Sequence, residues 1–334
     1  MKLDLSGAIE EITKNGGRRV LLQLPDGLKP DVFSYFTELS KHFSVIVTSE
    51  AFYGACDIGN KDVYEGVDYI VQLGHSEIPN IKYPRPVIFI EKRIEKFPEI
   101  PDSAYEILSK NGYRKIGLLC SIQYLDMMHR VQIQLERLGF STLIGKQDRR
   151  MRYPGQVLGC NFSAAHSISG EVDCYLVVST GKFHGIGTQL SSEKPVFILD
   201  LNLRGIEDIS AETDRFLRKR YARIYQARDA KRVLVVVDSK IGQYRMRLAE
   251  TIMSQAREMG IEPVLIVANE AKPSDFENMM CDAVVFTGCP RVPIDEEDKF
   301  KMPVLTPQEF QMVFGIKKPS RYIMDEIVAV DPIN

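Results

Sequence analysis

The pattern that most constrains this chain is a set of apolar strands that recurs three times. The first set reads RRVLLQLP (18–25), FSVIVTSE (43–50), VDYIVQLG (67–74) and RPVIFIE (85–91). The second is RKIGLLCS (114–121), FSTLIG (140–145), VDCYLVVST (172–180) and KPVFILDL (194–201). The third is KRVLVVVDS (231–239), EPVLIVANE (262–270), CDAVVFTG (281–288) and MPVLT (302–306). Near-continuous Val, Ile and Leu runs suit parallel strands covered by helices on both faces. Between the first two strands of each set lies a segment with helical spacing: 30–43, 125–140 and 243–260. The last two end at a glycine C-cap signal, and Pro30 stands near the start of the first. Each unit spans roughly a hundred residues, which suits a domain and not a solenoid repeat. The expectation is an α/β chain of three related small domains with parallel sheets about a pseudo-threefold axis, not a TIM barrel. The expected domains are 1–100, 101–211 and 212–334, with boundaries near KFPEIPDS (96–103) and EDISAETD (207–214).

Charge adds an exclusion. A formal net charge of −2 carries no signature of a nucleic-acid binder. MKLDLSGAIEEITKNGG at the N-terminus interrupts its apolar positions with acids, unlike a secretory signal, and no later stretch approaches the roughly 18 apolar residues of a membrane span. A cytoplasmic protein without membrane contact is expected. In that compartment six cysteines point to metal binding or burial in preference to disulfides.

The repeat sorts those cysteines. Cys120, Cys174 and Cys281 lie in or at the start of apolar strands, where small hydrophobes belong. Cys56, Cys160 and Cys289 lie in loops beyond strands, beside Gly54, Gly159 and Gly288. Strand carboxyl ends are where α/β folds place ligand sites, and one such loop per domain would bring three thiolates together. Structural zinc takes closely spaced cysteine pairs, which are absent here. A [4Fe–4S] cluster held by three cysteines leaves one iron open to substrate. Spacing alone leaves both a shared site and three unrelated loop cysteines open.

The motifs at these loops carry a resemblance. YGAC (53–56), GQVLGC (155–160) and TGCPR (287–291) resemble the three cysteine motifs of the archaeal diphthamide-synthesis enzymes, the 2-(3-amino-3-carboxypropyl)histidine synthases. LPDGLKP (24–30), LGHSEIP (73–79) and DSKIGQYR (238–245) are also similar to that family, over about residues 18–310. The resemblance implies a homodimer of three-domain α/β subunits in which Cys56, Cys160 and Cys289 hold one [4Fe–4S] cluster. It implies a noncanonical radical enzyme that uses S-adenosylmethionine. An electron from the reduced cluster cleaves the bond between sulfur and the methionine γ-carbon. The 3-amino-3-carboxypropyl group then passes to imidazole C2 of one histidine on translation elongation factor 2, and methylthioadenosine leaves. An electron donor is implied but not named. One departure is Asp57, where family members often carry a second cysteine after the first ligand.

A cosubstrate with carboxylate, amine and sulfonium needs polar groups near the open iron. The candidates are His75 and Ser76, Lys182 and His184, and Arg291, on loops after third strands. Gln243 and Arg245 open the helix of the third repeat, where a helix N-terminus favours an anion, and Asp26 and Lys29 occupy the equivalent turn of the first. Each has an ordinary use as a solvated or capping group. His42 and His129 are expected at the surface, and His166 in the core or at a cap. The basic stretches KQDRRMR (146–152) and RFLRKRYARIYQARDAKR (215–232) could face the protein partner or simply be solvated. Two other functions fit three converging cysteines: a quinolinate synthase-like [4Fe–4S] Lewis-acid dehydratase, and a non-catalytic iron–sulfur or zinc accessory subunit.

Overall fold

The computed structural model describes residues 3–49, 52, 54–59, 61–95, 98–202, 204–317 and 321–332. Tyr53 of the first cysteine motif and Lys96 and Phe97 of the first expected boundary lie outside the described residues. The strands are β1 (Arg19–Gln23), β2 (Ser44–Val47), β3 (Tyr69–Gly74), β4 (Val87–Glu91), β5 (Lys115–Cys120), β6 (Ser141–Ile144) and β7 (Cys174–Val178). They continue with β8 (Val196–Asp200), β9 (Gly205–Asp208), β10 (Arg232–Asp238), β11 (Glu262–Ala268), β12 (Ala283–Phe286) and β13 (Val304–Leu305).

Three sheets result, ordered β2-β1-β3-β4, β6-β5-β7-β8-β9 and β11-β10-β12-β13. The shared order is that of one repeated unit, and every pairing within it is parallel. None of the sheets closes into a barrel. The exception to the repeat is β9, which runs antiparallel to β8 and follows no apolar run. The helices between first and second strands are Val32–Ser40, Leu125–Arg137 and Met246–Glu258. Gly139 and Gly260 follow the last two at φ +87° and +71°, the left-handed conformation that ends a helix cheaply only at glycine.

One device appears identically in all three units. Asp68 takes the backbone N–H groups of Arg18 and Arg19, at 2.8 and 2.9 Å. Asp173 does the same for Arg114 and Lys115, at 2.8 Å each, and Asp282 for Lys231 and Arg232, at 3.0 and 2.7 Å. In each unit an aspartate before the third strand caps the entry to the first, which fixes their mutual register. The hydrogen bonds hold all three carboxyls below the usual carboxylate range.

The cores follow the sheets, with one exception. A single apolar cluster runs from Val177 and Ile198 on the second sheet to Val235, Val285 and Phe310 of the third unit, through Ile224 on helix Ser210–Gln226. Segment 207–214 therefore ends β9 and begins that helix. We propose that the domain boundaries stay near residues 100 and 211, with this helix joining the second and third units.

The second basic stretch is corrected by the same helix. Arg220 is 1% exposed, with Nε and Nη2 on Glu309 at 2.8 and 2.6 Å and Nη2 also on the Val304 carbonyl. Glu297 pairs with its Nη1, and the Tyr322 hydroxyl donates to Glu309 at 2.7 Å. An arginine in a helical basic run reads as solvated, but its interior position is set by two glutamates about 80 to 90 residues away.

Candidate metal centre

The loop after β2 is built on two glutamines. Gln23 and Gln72 are register partners in β1 and β3, and both are fully buried. Gln23 donates to the carbonyl of Ile58 at 2.9 Å, and Gln72 to that of Asp57 at 2.9 Å and to Oε1 of Gln23 at 3.0 Å. The clamp fixes the two residues after Cys56. Asp57 is buried and turns its Oδ1 onto the N–H of Gly59, so this position serves the loop and does not stand in for a second thiol.

The second loop is laid along the end of β5. Cys120 donates its N–H to Gly155 and accepts from Val157, both at 2.9 Å. Beyond it Leu158 and Asn161 exchange N–H···O bonds of 3.1 and 3.2 Å, which leaves Gly159 and Cys160 at the tip of a two-residue turn. A Cβ on Gly159 would meet Phe183 at 2.8 Å and the Arg291 side chain at 2.9 Å, so the turn tip packs against the third unit only because glycine is there. Gln156, buried, donates to Ser76 Oγ at 3.0 Å and ties this loop to the first unit.

The third loop is held from below. Arg245 donates Nε to the Thr287 carbonyl at 2.6 Å and Nη2 to the Gly288 carbonyl at 3.0 Å. Its two terminal nitrogens meet Asp325, buried, at 3.1 and 2.6 Å. Gln243 then spans two cysteines: Nε2 donates to Cys56 Sγ at 3.2 Å, and Oε1 accepts from the N–H of Cys289 at 3.0 Å.

Gln243 thus joins the first and third cysteine loops, and the Cys160 thiol is near enough to act on both Cys56 and Cys289. Burial pushes the Cys56 thiol up to about 12, with Cys160 adding to the shift and Arg150 and the Gln243 amide opposing it. Burial raises Cys289 as well, with Cys160 and Cys56 both adding. All six cysteines are free. Cys120 and Cys174 are fully buried in the core, whereas Cys281 is half-buried with its sulfur 3.8 Å from the Phe276 carbonyl. Among the described residues no three His, Cys, Asp or Glu side chains gather tightly enough for one metal ion. A cluster with one thiolate per iron spreads its cysteines wider than the ~2.3 Å shell of a single zinc.

Other expected residues separate into two groups. Ser76 stands at the interface with Gln156, and His75 beside it is half-buried with Nδ1 unpartnered and burial drawing its pKa down to about 4. His184 is also drawn down to about 4, by burial and then by the Arg291 charge. Arg291 is exposed, lies 4.8 Å from the Phe183 ring centroid and pairs with Asp295 at 2.6 Å. Arg245 differs from expectation: its guanidinium is spent on Asp325 and loop carbonyls and is not open to a carboxylate. Lys182 is occupied by Glu207 and Glu212, at 2.6 and 2.7 Å. Asp26 is exposed and paired with Lys29 at 2.6 Å, away from the thiols. His42 and His129 are exposed, while His166 is neither core nor cap: its Nε2 meets Glu326 at 2.8 Å.

Three features of the site have no motif. Arg150, inside the first basic stretch, is 1% exposed and bonds the Gly242 carbonyl at 2.7 Å. The glutamine clamp was legible only as two polar residues in otherwise apolar strands. Residues 321–332, outside any helix or strand, form a strap across all three units. Asp325 holds Arg245, Glu326 takes His166 and the N–H of Phe162, Ile327 donates to the Cys160 carbonyl at 2.8 Å, and Asn80 donates to the Val328 carbonyl.

The residues present fit an iron–sulfur cluster. Burial makes charge costly at Cys56 and Cys289, Cys160 acts on both, Gly159 and Gly242 clear space for the loops, and a buried guanidinium with unpartnered nitrogens acts on Cys56. Such a fold defines a class: α/β proteins of three like parallel-sheet units, each carrying one partly buried loop cysteine. The chain belongs to the diphthamide synthesis protein family, whose model matches residues 24–323. It is 34% identical over 328 residues to the 2-(3-amino-3-carboxypropyl)histidine synthase of Pyrococcus horikoshii, covering 97% of this chain and 93% of the relative. The synthase of Methanocaldococcus jannaschii is 27% identical, with 96% of this chain and 90% of the relative covered. The crystal structure of Dph2 from Pyrococcus horikoshii with a 4Fe-4S cluster superposes with a TM-score of 0.88 at 31% identity, over 100% of this chain and 96% of that one. The chain is accordingly an enzyme of diphthamide synthesis, a transferase.

Proposed function

We propose that the chain transfers the 3-amino-3-carboxypropyl group of S-adenosylmethionine to C2 of one histidine in translation elongation factor 2. The observation that supports this reading is Gln243 bridging Cys56 and Cys289, with the Cys160 thiol near enough to act on both. Those three thiolates would hold a [4Fe–4S] cluster, which when bound supplies one-electron reduction beside an iron left open to the cosubstrate. Gln243 and the Arg245–Asp325 pair keep the first and third loops at a fixed separation.

The surrounding groups bind and orient. His75 and His184 are neutral at pH 7, so each offers one donor and one acceptor to a cosubstrate without repelling its sulfonium. Arg291 supplies a cation for the methionine carboxylate by exchanging Asp295. The protein target approaches over a groove of about 930 Å³ lined by Pro79, Asn80, Lys146, Arg149, Arg152 and Val328, which adjoins the loop carrying Arg150. A homodimer in the cytoplasm, served by a separate electron donor, completes the reading; no helix among the described residues is long and apolar enough to cross a membrane.

The test uses anaerobically purified protein, expected to carry about four iron and four sulfide per chain. With dithionite and S-adenosylmethionine it should release methylthioadenosine and label elongation factor 2. Alanine at Cys56, Cys160 or Cys289 should abolish iron, whereas Cys120, Cys174 and Cys281 variants should keep it. A loaded cluster that gives neither product refutes the proposal.

A further inference from the structure

Arg150 departs from its neighbours in the basic stretch. Lys146, Arg149 and Arg152 are exposed, whereas Arg150 is among the largest fully buried side chains. Its guanidinium makes one bond, from Nη2 to the Gly242 carbonyl, while Nε and Nη1 are buried and donate to nothing. No ion pair includes it among the described residues. Asp148, two residues before it, spends its carboxylate on the Arg150 backbone N–H and the Asn161 amide.

A guanidinium stays charged in any protein interior, and an unpaired buried charge costs several kcal/mol. Such a residue persists only where an anion completes it. The geometry indicates which one. Gly242, which Arg150 bonds, lies against Cys56: its N–H donates to the Cys56 carbonyl at 2.9 Å, and a Cβ placed on it would fall 2.5 Å from Cys56 Cα. The Arg150 charge acts on Cys56, Cys160 acts on both Cys56 and Cys289, and Cys56 acts on Cys289.

We propose that Arg150 is the counter-cation of the three-thiolate centre, a positioning residue that favours the reduced state of the cluster. This inference rests on the iron–sulfur reading above. A cluster carried by three thiolates is anionic and gains a further negative charge on reduction. A fixed cation nearby therefore stabilises the reduced form more than the oxidised one, and net charge around a cluster is a principal control of its potential. The two unpartnered nitrogens supply N–H donors for sulfur, and they cost no reorganisation because the Gly242 carbonyl already orients the fork.

The experiment compares the wild-type chain with Arg150→Gln and Arg150→Lys, all purified anaerobically. Iron and sulfide content and the midpoint potential from a mediated dithionite titration are measured without cosubstrate, and S-adenosylmethionine binding is measured separately by calorimetry. Arg150→Gln should retain iron and move the potential to more negative values, with Arg150→Lys lying between it and wild type. If Arg150→Gln folds without iron, restored loading in Arg150→Lys supports the charge requirement. Iron lost from both, with the melting temperature of the cluster-free chain lowered in both, overturns it in favour of plain packing on Gly242. An unchanged potential in a loaded Arg150→Gln overturns it, as does an unchanged potential with weakened S-adenosylmethionine binding, which would assign Arg150 to the cosubstrate carboxylate. A wild-type chain that binds no iron overturns the underlying reading and this proposal with it, a result distinct from an unchanged potential.

Discussion

Gly242→Ala tests whether the cysteine loops are in fixed contact or only near one another. An added Cβ would lie 2.5 Å from both Cα and Cβ of Cys56 and 2.7 Å from Ile81 Cδ1. Carbon atoms in contact prefer about 3.5–4.0 Å, so the backbone of one loop must retreat by roughly 1 Å. Cys56 cannot yield cheaply, because its carbonyl accepts the Gly242 N–H at 2.9 Å and the next two carbonyls are clamped by Gln72 and Gln23. Losing the Gly242 bond costs about 1 kcal/mol and overpacking about 1–3 kcal/mol. The sum is a destabilisation of about 2–4 kcal/mol. Because the shift separates Cys56 from Cys289, iron content should fall further than stability alone requires. Urea unfolding of the cluster-free chain and iron analysis after reconstitution measure the two effects. Gly7→Ala, which meets nothing within 4 Å, is the control. A Gly242→Ala chain with wild-type stability and iron would refute the reasoning.

Two further predictions concern the frame. Arg220→Met removes the buried cation of Glu309, leaving Glu297 to Lys219 and Arg223, and should cost about 3–5 kcal/mol in denaturant unfolding, with an unchanged midpoint as the contrary result. The hydrogen bond to Glu326 raises the His166 pKa, so this pair stabilises the strap fully below 6.5 and loses that contribution as pH rises through the folded value. Hydrogen exchange of residues 321–332, corrected for intrinsic rate, should accelerate as pH rises above 6.5 in wild type and not in His166→Gln.

Much of the frame could be read from residue type, because β-rich apolar runs and helical spacing are local signals. The three sheets, their strand boundaries and the C-cap glycines follow from them. Strand β9 did not, since its pairing with β8 comes from tertiary context and not from an apolar run. The aspartates at 68, 173 and 282 were visible as VD, VD and CD before each third strand, yet their use depends on backbone N–H groups about 50 to 60 residues earlier. The loop cysteines were legible through glycine and position. Arg150 and Arg220 were not, because a cation in a basic run gives no hint that its partner is a distant carbonyl or glutamate. Arg245 shows the same limit in reverse: a residue well placed for a ligand is consumed by Asp325, 80 positions on.

The strap of residues 321–332 has a consequence for biogenesis. Asp325, Glu326 and Ile327 emerge from the ribosome after every other element of the centre, and 36 residues after Cys289. At about 5–20 residues per second that lag is roughly 2–7 s. Until then the Cys289 loop lacks the carboxylate that fixes Arg245, and the Cys160 carbonyl lacks its N–H partner. Assembly of the three cysteine loops is thereby coupled to synthesis of the strap, and a product that stops before residue 321 lacks the groups that hold the Cys160 and Cys289 loops.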